Sequence, residues 1–339
     1  INLSGHNQIM MHSKDIRERL RDIDEYLLDQ YKAVHPEKKR DWRTYEQQII
    51  HRIKTAIRGL EPLIDEATKS IVVSRELGRP PQLTIKQKLT LILMKELFDR
   101  SNRSMAAMLA AFSLLSNVDV SYKTLERLYS DQEVEIALHN LHILILKKKC
   151  VKISDAAGDG TGYSLSVSKH YGTEAAKRKD KAKENPPDME KKFVYSFKLL
   201  DLESRLYIAY GISFRSEKQA YDHAMRMLKI IDVTLKSIRL DRYYSCQSYL
   251  EAFENTKVYV IPKKNATLKG CWKWKRTMFD FVANTPHYLE EYYRRNHSEA
   301  GFSADKRWFG WKVEQRREDR IEVAVTCGNL WHNLFNMYR

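Results

Sequence analysis

Tyr292, Arg295, Glu299 and Lys306 are spaced so that a phenol, a guanidinium, a carboxylate and an amine can work together. The first three fall at i, i+3 and i+7, which puts them on one face of a helix. The planar fork of Arg matches two phosphate oxygens, and Lys meets them as a point charge. A carboxylate is a hard oxygen ligand for Mg²⁺. Such a face can hold a phosphate and a divalent metal together, if other carboxylates are brought to Glu299. The helix is expected to open at Thr285, whose hydroxyl can cap the first N–H groups, with Pro286 at the first helical position. Gly301 is expected to turn the chain ahead of Lys306.

Two aspartates are the candidates for the other half of the site. A strand reading of Val151, Lys152 and Ile153 leads into Asp159, which is expected just past the strand end. Gly160 and Gly162 there let a ligand approach the backbone. A second short strand over Ser237 to Leu240 ends at Asp241. Asp155 and Asp232 compete for these roles. Asp159 is preferred for the Gly-Thr-Gly after it, and Asp241 because a strand runs straight into it. One aspartate at a strand end is most often a turn residue or a cap. Three carboxylates around one point are different, because they make an oxygen cage. Two Mg²⁺ ions about 4 Å apart in such a cage can drive in-line phosphoryl transfer.

The elements that would position these residues change character along the chain. Residues 14 to 74 carry apolar residues at helical spacing, with breaks at His35-Pro36 and at Gly78 to Pro81. The predicted stripe of the second helix is Trp42, Tyr45, Ile49, Ile53, Ile57 and Leu60. Thr84 caps the next helix. A small-residue helix over Ser104 to Phe112 and a second one capped by Ser121 read as a helix-turn-helix. Its exposed readers would be Tyr122, Lys123, Glu126 and Arg127, with Leu125 and Leu128 packed inward. An alanine-rich helical hairpin produces the same pattern. From Cys150 the period shortens, and the order becomes three strands, then helix, strand, helix, strand, helix. Two antiparallel connections followed by crossover helices imply a mixed five-stranded sheet with helices on its faces. In that sheet the first and fourth strands are neighbours, which brings Asp159 and Asp241 together. The division expected is 1–78 helical hairpin, 79–149 helix-turn-helix and 150–339 mixed-sheet domain.

Charge points to the partner. The 59 Lys+Arg against 44 Asp+Glu give a net charge of +15, a field that attracts polyanions. Nucleic acid fits better than a membrane surface, since no run approaches the roughly 20 apolar residues of a span and no signal-peptide pattern is present. Residues 171 to 192 read as a charged loop facing DNA. The four cysteines form no CxxC pair, which argues against a disulfide framework or zinc site and for a reducing cytosol. The chain opens at Ile1 rather than Met, so a native start upstream stays open.

Taken jointly, Tyr292, Arg295, Glu299 and Lys306 at Y-(2)-R-(3)-E-(6)-K spacing, with Asp-Gly-Thr-Gly at 159 and Leu-Asp-Arg-Tyr-Tyr at 240, resemble the DDE transposases of prokaryotic insertion sequences. The resemblance covers about residues 150 to 339. It implies a ribonuclease-H-like core with Asp159, Asp241 and Glu299 as a metal-binding catalytic triad for two Mg²⁺ ions, Mn²⁺ substituting, and no organic cofactor. It further implies that Arg295 and Lys306 grip phosphates near the cleaved end, with Tyr292 against the displaced end. Trp272 and Trp274, in a basic loop before the glutamate, are candidates to stack on a flipped base. The expected partners are double-stranded DNA and a second copy of the chain, in a prokaryotic cytoplasm at the nucleoid. Two rival readings keep the fold. One is a retired, DNA-binding derivative; the other is a nuclease without strand transfer.

Overall fold

A computed structural model describes residues 11–21, 23, 41–72, 82–98, 102–116, 120–165, 193–253 and 255–338. The expected breaks at His35-Pro36 and Gly78 to Pro81, and the charged loop 171–192, lie outside the described residues.

The first half is helical. Residues 13–21 form a short helix. Helix α1 (Trp42–Thr68) starts from an Asp41 cap and buries Ala56, Leu60, Leu63, Ile64 and Ala67. The predicted apolar stripe therefore works only towards its C-terminal half, and Trp42 at the other end is 63% exposed. Helix α2 (Ile85–Leu97) opens with a capping box, Thr84 accepting from the Gln87 N–H while the Gln87 side chain accepts from Thr84. Helix α3 (Asn102–Ser116) precedes α4 (Tyr122–Leu128), which Ser121 caps, and Leu125 and Leu128 are buried as expected. Helix α5 (Gln132–Lys148) ends this half.

The second half is built on a mixed sheet. Strands β1 (Ile153–Leu165), β2 (Phe193–Asp201) and β3 (Tyr207–Ser213) form an antiparallel meander. Helix α6 (Glu217–Ile230) then crosses to β4 (Thr234–Leu240), which lies parallel to β1, and β5 (Lys257–Tyr259) lies parallel to β4. The order β3-β2-β1-β4-β5 makes the first and fourth strands neighbours. A two-residue strand β6 (Lys312–Val313), absent from the sequence reading, pairs with the far end of β1. Between β4 and β6 lie α7 (Gln247–Leu250), α8 (Trp272–Ala283), α9 (Thr285–Tyr293) and α10 (Asn296–Phe309); α11 (Glu318–Met337) closes the chain.

Several local expectations are corrected. Strand β1 does not stop before Asp159, because β2 pairs with it through that residue and beyond, Asp159 lying opposite Lys198. Trp272 and Trp274 sit in helix α8, not in a loop. Asn284 caps α9 by accepting from the His287 N–H; the Thr285 hydroxyl donates back to the Phe281 carbonyl. Gly301 lies inside α10 and turns nothing, while the true break falls earlier, where α9 ends and α10 begins. Arg295 sits at that break, its N–H donating to the Tyr292 carbonyl and its own carbonyl accepting from Ser298.

Helix α11 ties the halves together. It packs against α1, α2 and α5 on one side and β3 on the other. The Trp331 indole N–H donates to the Leu93 carbonyl at 2.8 Å, fastening α11 to α2. The edge strand β3 is covered in the same way: the Asn333 amide accepts from the Tyr207 N–H and donates to the Tyr207 carbonyl, as a neighbouring strand would. His142 of α5 completes the cover, its Nε2–H donating to the Ile208 carbonyl at 3.0 Å.

Burial makes His142 acid-sensitive. Desolvation, with His139 nearby and against the Ile208 hydrogen bond, lowers its pKa from 6.5 to about 4. The unfolded chain takes up this proton near pH 6.5 and the folded one only near pH 4, so stability is full above the first value and falls towards the second. The loss across that window is about 3 kcal/mol. Urea midpoints at pH 7 and pH 5 should therefore converge in His142→Gln relative to the unaltered protein; parallel pH dependences would remove this assignment.

Candidate active site

Register explains why two of the acids meet. Gly158 of β1 lies beside Leu240 of β4 in parallel pairing, so the next residues along, Asp159 and Asp241, emerge side by side. Asp241 ends its strand and caps the short 3₁₀ turn Arg242–Tyr244, accepting from the Tyr243 N–H. The third acid, Glu299, stands in the first turn of α10, where a carboxylate suits the positive end of the helix dipole. Glu299 lies one turn beyond Arg295.

All three carboxylates converge on that arginine. Arg295 Nη1 is 3.5 Å from Asp159 Oδ2, and Nη2 is 3.3 Å from Asp241 Oδ1 and 2.8 Å from Glu299 Oε1. The Arg295 guanidinium is mostly buried, its Nε has no hydrogen-bond partner, and its Cζ lies 5.5 Å from the Tyr292 ring centroid. Tyr292 itself is buried and so forms a wall behind the arginine. The cluster is electrostatically tense at Asp159. Burial pushes its pKa up from 3.8 to about 6; Asp241 and Glu299 add to this, and Arg295 and the Gly160 N–H, which donates to it at 2.8 Å, only partly offset them. A fourth carboxylate, Glu217, lies close by, accepting from the Tyr244 hydroxyl and filling the space where a side chain on Gly160 would go.

The competing aspartates have other work. Asp155 accepts from Ser237 and pairs with Arg239, which in turn binds Glu291 and fastens α9 to β4. Asp232 is exposed in the turn before β4.

The donor set fits a hard divalent cation: three carboxylates meet on one stand-in cation, the guanidinium. Their present spacing is that of the guanidinium, and among the described residues no group of three or more His, Cys, Asp or Glu is close enough to hold one ion. Metal ligation by all three therefore requires Arg295 to leave.

The other residues singled out in the sequence are dispersed around this point. Lys306, in the last turn of α10, holds its Nζ 4.4 Å above the ring of Trp311, which is 63% exposed. Trp272 is 75% exposed at the start of α8, whereas Trp274 is buried with its indole N–H donating to the Thr267 carbonyl at 2.7 Å. Lys123 and Arg127 are exposed on α4. Glu126 is engaged by Arg320 of α11, and the Tyr122 ring by Arg103, 5.1 Å from its centroid.

One relative decides the family. Over 284 residues, 84% of each chain, the sequence is 44% identical to a protein of Archaeoglobus fulgidus described as "Probable transposase for insertion sequence element ISA1214". The chain belongs to the insertion-sequence transposases. No protein-family model matches it. Among the described residues of this transposase no helix is long and apolar enough to cross a membrane.

Sequence reasoning missed two features around this point. The first is Arg295 as partner of the acids: its i,i+4 spacing to Glu299 allows the pair but allows the phosphate role equally. The second is a buried cluster behind α10. Asp305 accepts from Lys198 at 3.0 Å and from the Tyr207 hydroxyl at 2.7 Å, and His332 Nδ1 lies 2.7 Å from its other oxygen. The Lys198 ammonium also donates to the Tyr163 hydroxyl and lies 4.6 Å over the Tyr207 ring. This cluster joins the Glu299 helix to β1, β2, β3 and α11. Lys198 and Asp305 are 107 residues apart in the chain, so no local pattern announces the pair.

Proposed function

We propose that this transposase binds the terminal inverted repeats of its own element, cleaves the ends by metal-dependent phosphoryl transfer, and joins the freed 3′-hydroxyl to target DNA. The observation that carries the reading is the convergence of Asp159, Asp241 and Glu299, from three separate elements, on a single cation. The strand order β3-β2-β1-β4-β5, with crossover helices, supports a ribonuclease-H-like core. Helices α3 and α4, with Ser121 capping α4 and Lys123 and Arg127 outward, support a helix-turn-helix that reads DNA.

In this mechanism the three carboxylates hold the divalent ions, Mg²⁺ or Mn²⁺, and face the scissile phosphate. Bound metal supplies Lewis acidity that activates a water or 3′-hydroxyl and stabilises the leaving oxygen. Arg295, released from the acids, and Lys306 hold phosphate oxygens, and Tyr292 packs the arginine in line. Trp272, exposed and followed by Lys273, Lys275 and Arg276, offers a stacking face to a displaced base; buried Trp274 secures the helix that presents it. Two ends are brought together by a homodimer, each copy acting on one, and the protein works at the nucleoid.

The test is direct. The protein is incubated with Mg²⁺ and a plasmid carrying the DNA that flanks its gene. Nicking confined to the element ends, lost in Glu299→Gln, is expected. Binding of those ends without cleavage in Mg²⁺ or Mn²⁺ would leave only a DNA-binding role.

A further inference from the structure

The guanidinium of Arg295 stands where the three acids would hold a metal, and two cations cannot share that place. The site therefore has two cationic occupants to choose between, one carried by the chain and one supplied by solution. Arg295 is bound at both terminal nitrogens, Nη1 by Asp159 and Nη2 by Asp241 and Glu299. It has nonetheless not reached a complete set of partners, because Nε is buried and makes no hydrogen bond. Two of its three contacts, at 3.3 and 3.5 Å, are long for charge-assisted hydrogen bonds. It is rooted at the break between α9 and α10, in a cap position where its side chain makes no helix-capping bond, so the stem can swing without unwinding either helix.

A phosphate changes this balance. It offers a guanidinium two oxygens at once, in the planar fork geometry that three carboxylates from separate elements do not provide. Drawing the arginine onto DNA uncovers three carboxylates whose mutual repulsion then favours a divalent ion. By reciprocity, an ion on the carboxylates frees the arginine and strengthens its hold on phosphate.

We infer, on the reading of the acids as a metal site, that Arg295 is an internal counter-ion that keeps divalent metal out until DNA phosphate draws it away, so that metal and DNA bind with positive coupling through this one side chain. A free transposase is thereby kept poor in metal, and the site is completed only on its substrate.

The coupling is read from Mn²⁺ affinity, by calorimetry or by the electron paramagnetic resonance of free Mn²⁺, rather than from the yield of cleaved DNA. The full chain is measured alone and with a blunt duplex of the DNA flanking its gene, in Ca²⁺-free buffer. In the unaltered protein the duplex is expected to tighten Mn²⁺ about tenfold or more. Arg295→Gln without DNA should bind Mn²⁺ tighter than the unaltered protein by a similar factor, and the duplex should add little. Equal Mn²⁺ affinity in the two proteins without DNA, or no effect of the duplex on the unaltered one, overturns the inference and leaves the metal site standing. Mn²⁺ binding with duplex present that is unchanged in Asp159→Asn and Glu299→Gln removes the metal site itself. Should Arg295→Gln not fold, Arg295→Met takes its place in the same comparison.

Discussion

Asp159→Asn is expected to lower end-specific cleavage by about a thousandfold or more while leaving the melting temperature equal or higher. The two halves of that expectation have separate causes. On the proposed reading, Asp159 would hold metal together with Asp241 and Glu299. Its loss removes several kcal/mol of transition-state charge stabilisation, and about 1.4 kcal/mol corresponds to each decade in rate. Stability moves the other way, because Asp159 is poorly served in the fold. Its side chain is only 17% exposed, one backbone N–H donates to it, and its ion pair to Arg295 is 3.5 Å long. Its pKa is raised to about 6, mainly by burial. An acid with a raised folded pKa costs stability in full above that pKa, and the cost fades as pH falls from there to the unfolded value of 3.8. Removing the charge while keeping the shape should therefore relieve the fold, as is common where a site is built against the interest of stability. Cleavage of the plasmid ends in Mg²⁺, measured with the thermal unfolding of the same samples, checks both. Cleavage retained within tenfold would detach Asp159 from the chemistry.

Much of this site was legible in the sequence because its residues obey local rules. Arg295, Glu299 and Lys306 sit at fixed spacings within 12 residues. Asp241 closes a strand whose neighbour could be read from the order of elements. The strand order followed from two tight antiparallel connections and then crossovers, and that is a matter of connection length and handedness. Where the reading departed from the structure, a partner distant in sequence had decided the outcome. Asp-Gly-Thr-Gly reads as a turn, yet β2 and β6 hold it extended to Leu165. The glycine just before the motif serves close approach: a Cβ on Gly158 would come within 2.7 Å of the Phe197 ring. The Trp272 stretch reads as a basic loop, yet Trp274, Met278 and Phe281 bury one helical face of α8. Only at Thr285 is the competitor local: Asn284, one residue earlier, takes the cap. The role of Arg295 could not be chosen from spacing, because a guanidinium fits phosphate and carboxylate equally well.

The largest effect on stability is expected at Lys198, far from any motif. Lys198 and Asp305 are almost wholly buried, and each is the other's charge partner at 3.0 Å. Placing either ion in the interior without the other costs several kcal/mol, and this is why breaking such a pair from one side is so damaging. Lys198→Met is therefore expected to lower unfolding free energy by about 3–5 kcal/mol. Asp305 would keep the Tyr207 hydroxyl and His332 but lose the ammonium that balances it. Lys198→Met combined with Asp305→Leu should recover part of that loss: the apolar pair has no charge to desolvate, but the Tyr207 hydroxyl and His332 lose their acceptor. A double-mutant cycle on urea unfolding reads the difference, and simple additivity of the two single changes would refute the coupling. Acid gives an independent check. Burial alone would raise the Asp305 pKa, but Lys198 and His332, with the hydrogen bonds to His332 and Tyr207, outweigh it and bring the value from 3.8 down to about 2. A carboxyl lowered in the fold contributes stability that is present above its unfolded pKa and is lost as pH falls through the folded one. The unaltered protein should thus lose about 2 kcal/mol from this group between pH 4 and pH 2. The double variant, lacking the carboxyl, should lose none of it.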